Sequence, residues 1–232
     1  MQDLSNWQIC PLPGDRELPG RLVNLMPFDA PAHSAQLFEA VCQEGAAEIW
    51  QWLPLEQPQS ARQFQSDYTQ LVATHGWRTL VIHSKKLDRL LGVFSFMRLR
   101  PEVGSAEIGA VTYGPDLQRT PEATEAFYLA SRHLFEDCGY RRFEWKCNHL
   151  NTPSRRAALR YGFTFEGQFR QDMVVKGQNR DTDWYSMLDR EWPICARAFE
   201  KWLLPENFEE AGQQKKKLEH IRETLARAEA KK

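Results

Sequence analysis

Apolar residues along the chain recur with two spacings, and the changes between them mark out the elements. The run LVNLM at 22–26 reads as a short strand, and Ala35, Leu37, Phe38, Val41 and Cys42 then fall at helical spacing within 30–45. A second helix is predicted over 60–76, carrying Phe64, Tyr68, Leu71 and Val72 and closed by Gly76. Three strands follow at 77–84, 89–100 and 105–114, parted by the polar turns KKLD and PEVG, which is the spacing of an antiparallel meander. The stretch 120–139 has strong helix-start signals, with Thr120 as N-cap, Pro121 at the first helical position and Glu122 behind it, and it ends at Gly139. Then come a strand at 140–147, a short helix at 151–162 stopped by Gly162, a strand at 163–167 and a last strand at 183–192.

This order predicts an α/β (α+β) fold, one mixed sheet of about seven strands flanked by helices. Residues 1–19 are rich in Pro and Gly and read as an irregular arm pinned by Trp7 and Ile9. The body is expected to span 20–193. Residues 194–232 are read as a helical extension whose charged part carries a sparse stripe of Phe208, Ala211, Leu218, Ile221, Leu225 and Ala228. That stripe suits either a solvated terminal helix resting on the body or a helix that makes a homodimer.

Composition narrows the classes. Among 232 residues, 30 basic side chains face 31 acidic ones, so no bulk positive field is available for nucleic acid or an anionic membrane. No apolar stretch reaches the roughly 20 residues of a membrane span, and the N-terminus lacks a secretory pattern, so a cytoplasmic protein is expected. Five scattered cysteines without a C-x-x-C pair or a Cys/His cluster read as reduced, mostly buried thiols, and no metal is implied.

Chemistry concentrates between Glu107 and Arg170. A strand, a polar turn and a well-capped helix present backbone N–H groups and a positive dipole end at Gln118–Ala123, with Arg119 adding a full charge. Such a terminus suits a pyrophosphate or simply water. Alternation along SAEIGAVTY puts Glu107, Gly109, Val111 and Tyr113 on one strand face, which makes Glu107 the leading candidate for a base; an ordinary ion pair is the other reading. His149 is the second basic candidate. Trp50 and Trp52, in the loop between the first two helices, offer indole faces for a cationic or aromatic acceptor, or serve as core residues.

The turn Gln118-Arg119-Thr120-Pro121-Glu122-Ala123 resembles the [Q/R]-x-x-G-x-[G/A] motif of the GCN5-related N-acetyltransferase (GNAT) superfamily, with Pro121 in the glycine position. Asn151-x-x-Ser154, Gly162-Phe163 and Glu166-Gly167 resemble its RimJ/RimL-type branch, the N-terminal acetyltransferases of ribosomal proteins and their relatives. The resemblance covers roughly residues 20–192. It implies direct attack of an amine on acetyl-CoA, with no covalent acyl-enzyme. It implies a pyrophosphate site at Gln118, Arg119, Thr120 and Ala123, Val111 and Tyr113 running beside the pantetheine, and Asn151 holding that arm or capping its helix. Ser154 is implied as the group that handles the thiolate. The position of the usual acid tyrosine is Ala158, and Tyr161 is not expected to replace it. Glu166 and Arg170 match an E-G-x-x-R pattern that orients the acceptor, with a structural ion pair as the alternative; Trp50 and Trp52 lie where the acceptor site is built. Pro121 and Ala158 also admit a degenerate module that holds CoA or a partner without turnover.

Overall fold

The computed structural model describes residues 3–43, 45–210 and 212–230. In chain order the elements are β1 (Leu18–Pro19), β2 (Val23–Pro27), α1 (Ala30–Val41), α2 (Ala47–Trp50), α3 (Ala61–His75), β3 (Arg78–Ser84), β4 (Arg89–Arg100), β5 (Ser105–Tyr113), α4 (Pro121–Arg132), β6 (Arg142–Asn148), α5 (Thr152–Tyr161), β7 (Thr164–Val175), β8 (Gln178–Leu188), α6 (Trp192–Leu203) and α7 (Leu218–Glu229). The strands form one mixed sheet in the order β1-β2-β3-β4-β5-β6-β8-β7, antiparallel throughout except between β5 and β6. The eighth strand is the two-residue β1, which the end of the N-terminal arm contributes. No helix among the described residues is long and apolar enough to cross a membrane.

Each face of the sheet has its own core. On one face α1 and α3 cover β3 and β4 through Leu37, Val41, Phe64, Tyr68, Val81 and Val93. On the other, α4 lies at the centre of an aromatic cluster: Phe127 stacks on Tyr161 at 4.2 Å, and Phe143, Phe163 and Phe199 surround it. Phe199 belongs to α6, and Cys195, Ala198 and Trp202 are buried with it, so the boundary expected at residue 194 is not a boundary in packing. The apolar stripe of α6 is simply part of the main core.

The C-terminal helix docks on the same side. Leu218 is fully buried, and the Arg222 guanidinium donates to the Leu159 and Arg160 carbonyls at 3.0 and 2.7 Å, satisfying the last turn of α5. Ala211 of the expected stripe lies outside the described residues. At the other terminus Trp7 pins the arm, donating from Nε1 to the Glu102 carbonyl at 2.8 Å, whereas Ile9 is exposed.

Two departures from the expected elements shape the middle and the far edge of the sheet. β7 and β8 form one long hairpin rather than two short strands, turned at Lys176-Gly177 with φ of +52° and +72°. Positive φ at both central residues matches the twist of the flanking strands. In β5 a bulge sits at Ala110, whose φ is +49°: Ser95 pairs with Gly109 and Val93 with Thr112, so two residues of β5 oppose Phe94.

Candidate active site

β5 and β6 pair only through Ser105–Ile108 and Arg142–Trp145, although both strands run on beyond that point. Past Ile108 they part, leaving a cleft in the middle of the sheet and a strand edge from Gly109 to Tyr113 that faces it. Unpaired edge N–H and C=O groups are ready to bond an extended chain laid alongside them. Val111 and Tyr113 lie on this edge, and both pack against the α4 core. Burial, with the Tyr161 phenol close by, holds the Tyr113 hydroxyl protonated well above its usual range.

The bulge corrects the expected faces. Ala106 and Ile108 belong to the α4 core and so do Val111 and Tyr113, because the extra residue at Ala110 reverses the alternation. Glu107 therefore points to the opposite face, which it shares with Thr112, whose hydroxyl bonds the Tyr68 phenol at 2.8 Å.

Behind the cleft the chain turns into α4. Thr120 caps the helix, accepting from the Ala123 N–H at 3.2 Å and donating to the Leu117 carbonyl at 2.6 Å. Pro121 has no N–H, so of the first turn's donors only that of Glu122 is left for an anion. Arg119 is exposed with φ of +62°, and Gln118 is turned back to the Tyr113 carbonyl at 2.9 Å. Across the cleft Asn151 caps α5 by accepting from the Ser154 N–H at 3.1 Å. The Ser154 Oγ accepts from Trp145 Nε1 at 3.0 Å, which leaves its O–H to donate. Burial pushes the neighbouring Cys147 thiol up to about 11, with the Ser154 hydroxyl opposing that rise. Tyr161 and Ala158 are core residues.

The face carrying Glu107 holds a network that sequence reading missed. Glu107 is 3% exposed, and its Oε2 takes Arg98 Nη1 at 2.5 Å and Lys146 Nζ at 2.8 Å. Its Oε1 takes no bond among the described residues and lies over Gly109, where a Cβ would come within 3.3 Å of it and 2.4 Å of Met97 Sδ. Glycine at 109 keeps that space open. Lys146, its side chain 5% exposed, also bonds Glu144 at 2.8 Å and sits 3.8 Å from the Trp184 ring centre. Burial alone would raise the Glu144 carboxyl, but Lys146 and Arg142 outweigh it and hold it at about 2. The signal was legible: Arg142, Glu144 and Lys146 alternate along a strand that its other face buries.

The expected acceptor residues do not come together. Trp50 is a core residue, 2% exposed, its Nε1 donating to the Val41 carbonyl at 2.8 Å, so its ring is closed to a ligand. Trp52 is half-buried in the same loop. Glu166 pairs with Arg142 and Ser186 rather than with Arg170, which lies exposed on the outer strand β7. Lys176, at the hairpin tip, donates to the Trp50 carbonyl at 2.9 Å and lies 3.4 Å from Glu56, so β7–β8 reaches over to the α2–α3 loop. His149 is no idle loop residue: its Nδ1 lies 3.0 Å from the fully buried Asp183, which Arg155 also approaches at 2.9 Å. All five cysteines are free, and no cluster able to hold a metal occurs among the described residues.

Comparison with known proteins identifies the family and the fold. The model of the acetyltransferase (GNAT) domain family matches residues 23–164, more than half of the chain. A ribosomal-protein-serine acetyltransferase of Escherichia coli (strain K12) is 32% identical over 105 residues, which is 44% of this chain and only 57% of that relative's length. The crystal structure of a GCN5-related N-acetyltransferase from Brucella melitensis superposes with a TM-score of 0.91 and 42% identity, covering 95% of this chain and all of that one. A probable GNAT-family acetyltransferase from Chromobacterium violaceum superposes with a TM-score of 0.77 and 38% identity, covering 83% of this chain and 96% of that one.

Proposed function

Because this chain belongs to the acetyltransferase (GNAT) family, whose members use acetyl-CoA, we propose that it transfers an acetyl group from acetyl-CoA to a primary amine. The observation that carries this reading is the parting of β5 from β6 beyond Ile108, with an unpaired strand edge on one side and Ser154 on the other. Acetyl-CoA supplies an activated acyl carbon. The edge from Gly109 to Tyr113 bonds the pantetheine, and N–H groups near the Ala110 bulge polarise the thioester carbonyl. Arg119 and the free N–H of Glu122 meet the pyrophosphate, with Thr120 fixing the turn by accepting from the Ala123 N–H.

The acceptor enters from the face of Glu107. Its nitrogen forms the N–C bond as the C–S bond breaks, and the proton it sheds passes to the open Oε1 of Glu107 or to a water held there. The departing thiolate takes a proton through Ser154, whose Oγ accepts from Trp145 and whose hydroxyl turns from the Cys147 sulfur to the leaving thiolate. The products are an N-acetylated amine and the CoA thiol. The acceptor class spans protein N-termini, amino-acid-like compounds and small metabolites.

Calorimetry with acetyl-CoA tests the cofactor half. Micromolar binding that weakens about tenfold in Arg119→Ala is expected, as for loss of one charge-assisted hydrogen bond. No heat of binding, together with no thiol release across an amine panel, would leave the chain without this activity. Ser154→Ala is expected to lower kcat by about tenfold or more while leaving the acetyl-CoA Kd within about twofold, since the hydroxyl is needed in the transition state rather than for binding. An equal loss in both would assign Ser154 to binding.

A further inference from the structure

The carboxylates on the Glu107 face are spent. Oε2 of Glu107 is shared by Arg98 and Lys146; Glu144 is taken by Arg100, Arg142 and Lys146; Glu166 by Arg142 and Ser186. Arg180, on the same stretch of β8, has no carboxylate at ion-pair distance among the described residues; burial lowers its pKa, with Arg98 acting the same way and the carboxylates of Glu107 and Asp172 opposing it from farther off. Arg98 is itself 49% exposed and commits only one nitrogen to Glu107. The uncompensated charge beside the open oxygen of Glu107 is therefore positive.

The neutral donors there are also unsatisfied. Thr182 and Trp184 alternate with Arg180 along β8, and the register sets Trp184 opposite Lys146 and Thr182 opposite Asn148, on the face of Glu107. Arg180 Nε, Thr182 Oγ1 and Trp184 Nε1 are all shut off from solvent without a partner, and Thr182 is only 2% exposed. Three such groups on one strand face call for something that accepts hydrogen bonds. A hydroxyl, an indole N–H and a guanidinium N–H can all donate, and the guanidinium edge matches the two oxygens of a carboxylate.

Resting on the acetyl-transfer reading of this site, we propose that the acceptor is an amine that carries a carboxylate close to its nitrogen, as a free amino acid does, with Arg180 and Thr182 binding that carboxylate while the nitrogen meets Glu107. The start of a polypeptide, whose α-carboxyl is tied up in an amide, lacks this group.

Thiol release from acetyl-CoA is measured on the full chain with a panel of L-amino acids and with the carboxamide of each, and with ethanolamine against phosphoethanolamine. Expected is a kcat/KM at least about tenfold higher for the best acid than for its amide, as one charge-assisted bond gives. The preference should vanish in Arg180→Ala, mainly through KM, and shrink in the isosteric Thr182→Val, which removes an unpartnered hydroxyl and should fold at least as stably. Equal use of acid and amide, or a preference confined to phosphoethanolamine, overturns the proposal and leaves acetyl transfer standing. Should no amine release thiol, acetyl transfer itself falls, and calorimetry of the same amino acids decides the carboxylate site: binding lost in Arg180→Ala supports it, and no binding to wild type ends it.

Discussion

Glu107→Gln is expected to lower kcat/KM at pH 7 by about 10²- to 10³-fold, the usual worth of a positioned general base, with little change in acetyl-CoA affinity. The substitution keeps shape and burial, and Arg98 and Lys146 can still donate to the amide oxygen in the place of Oε2. What it takes away is the second oxygen, Oε1, which would become an amide nitrogen over Gly109 and could neither accept the proton of an incoming ammonium nor orient a water to do so. The shape of the pH–rate profile should change as well. Full activity with an unaltered profile would pass the role to His149, whose Nδ1 is already set by the buried Asp183 and whose side chain is 40% exposed.

The scaffold was legible in the sequence because its elements carry local signals. Thr120 with Pro121, Asn151 before the α5 helix, and Gly162 at its end each act within a few residues, and all three caps are formed as expected. The face of Glu107 was misread for a local reason too: a bulge is one extra residue in a pairing, and nothing in SAEIGAVTY announces that Ala110 adopts a left-handed φ. Trp50 and Trp52 look alike in sequence, and only the approach of the Val41 carbonyl makes the first a core residue. Glu166 and Arg170 are spaced like partners, yet Arg142, reaching from β6 across the intervening β8, takes the carboxylate, because long-range register decides which charges meet. The pairs of Glu144 with Arg142 and Lys146 lie within one strand, but the tie from Lys146 to Glu107 needed β5 and β6 brought side by side.

That network gives the second large effect. Lys146→Met is expected to destabilise the fold by about 3 kcal/mol at pH 7, the low end for breaking a buried ion pair, because Glu107 keeps Arg98 and Glu144 keeps Arg100 and Arg142. Methionine fills the space over Trp184 but leaves two buried carboxylates each with one donor fewer. The loss should depend on pH in a fixed direction. Glu144 is held at about 2 in the fold against an ordinary 4.5, so the folded state binds fewer protons than the unfolded chain; this stabilisation is complete above pH 4.5 and is lost as the pH falls towards 2. Without Lys146 the carboxyl should rise towards its ordinary value, so wild type should lose more stability than the variant over that range and the gap between them should narrow. Urea unfolding at pH 7, 5 and 3 measures it. A gap that stays constant would mean that Lys146 acts by packing on Trp184 rather than by holding the Glu144 carboxylate ionised.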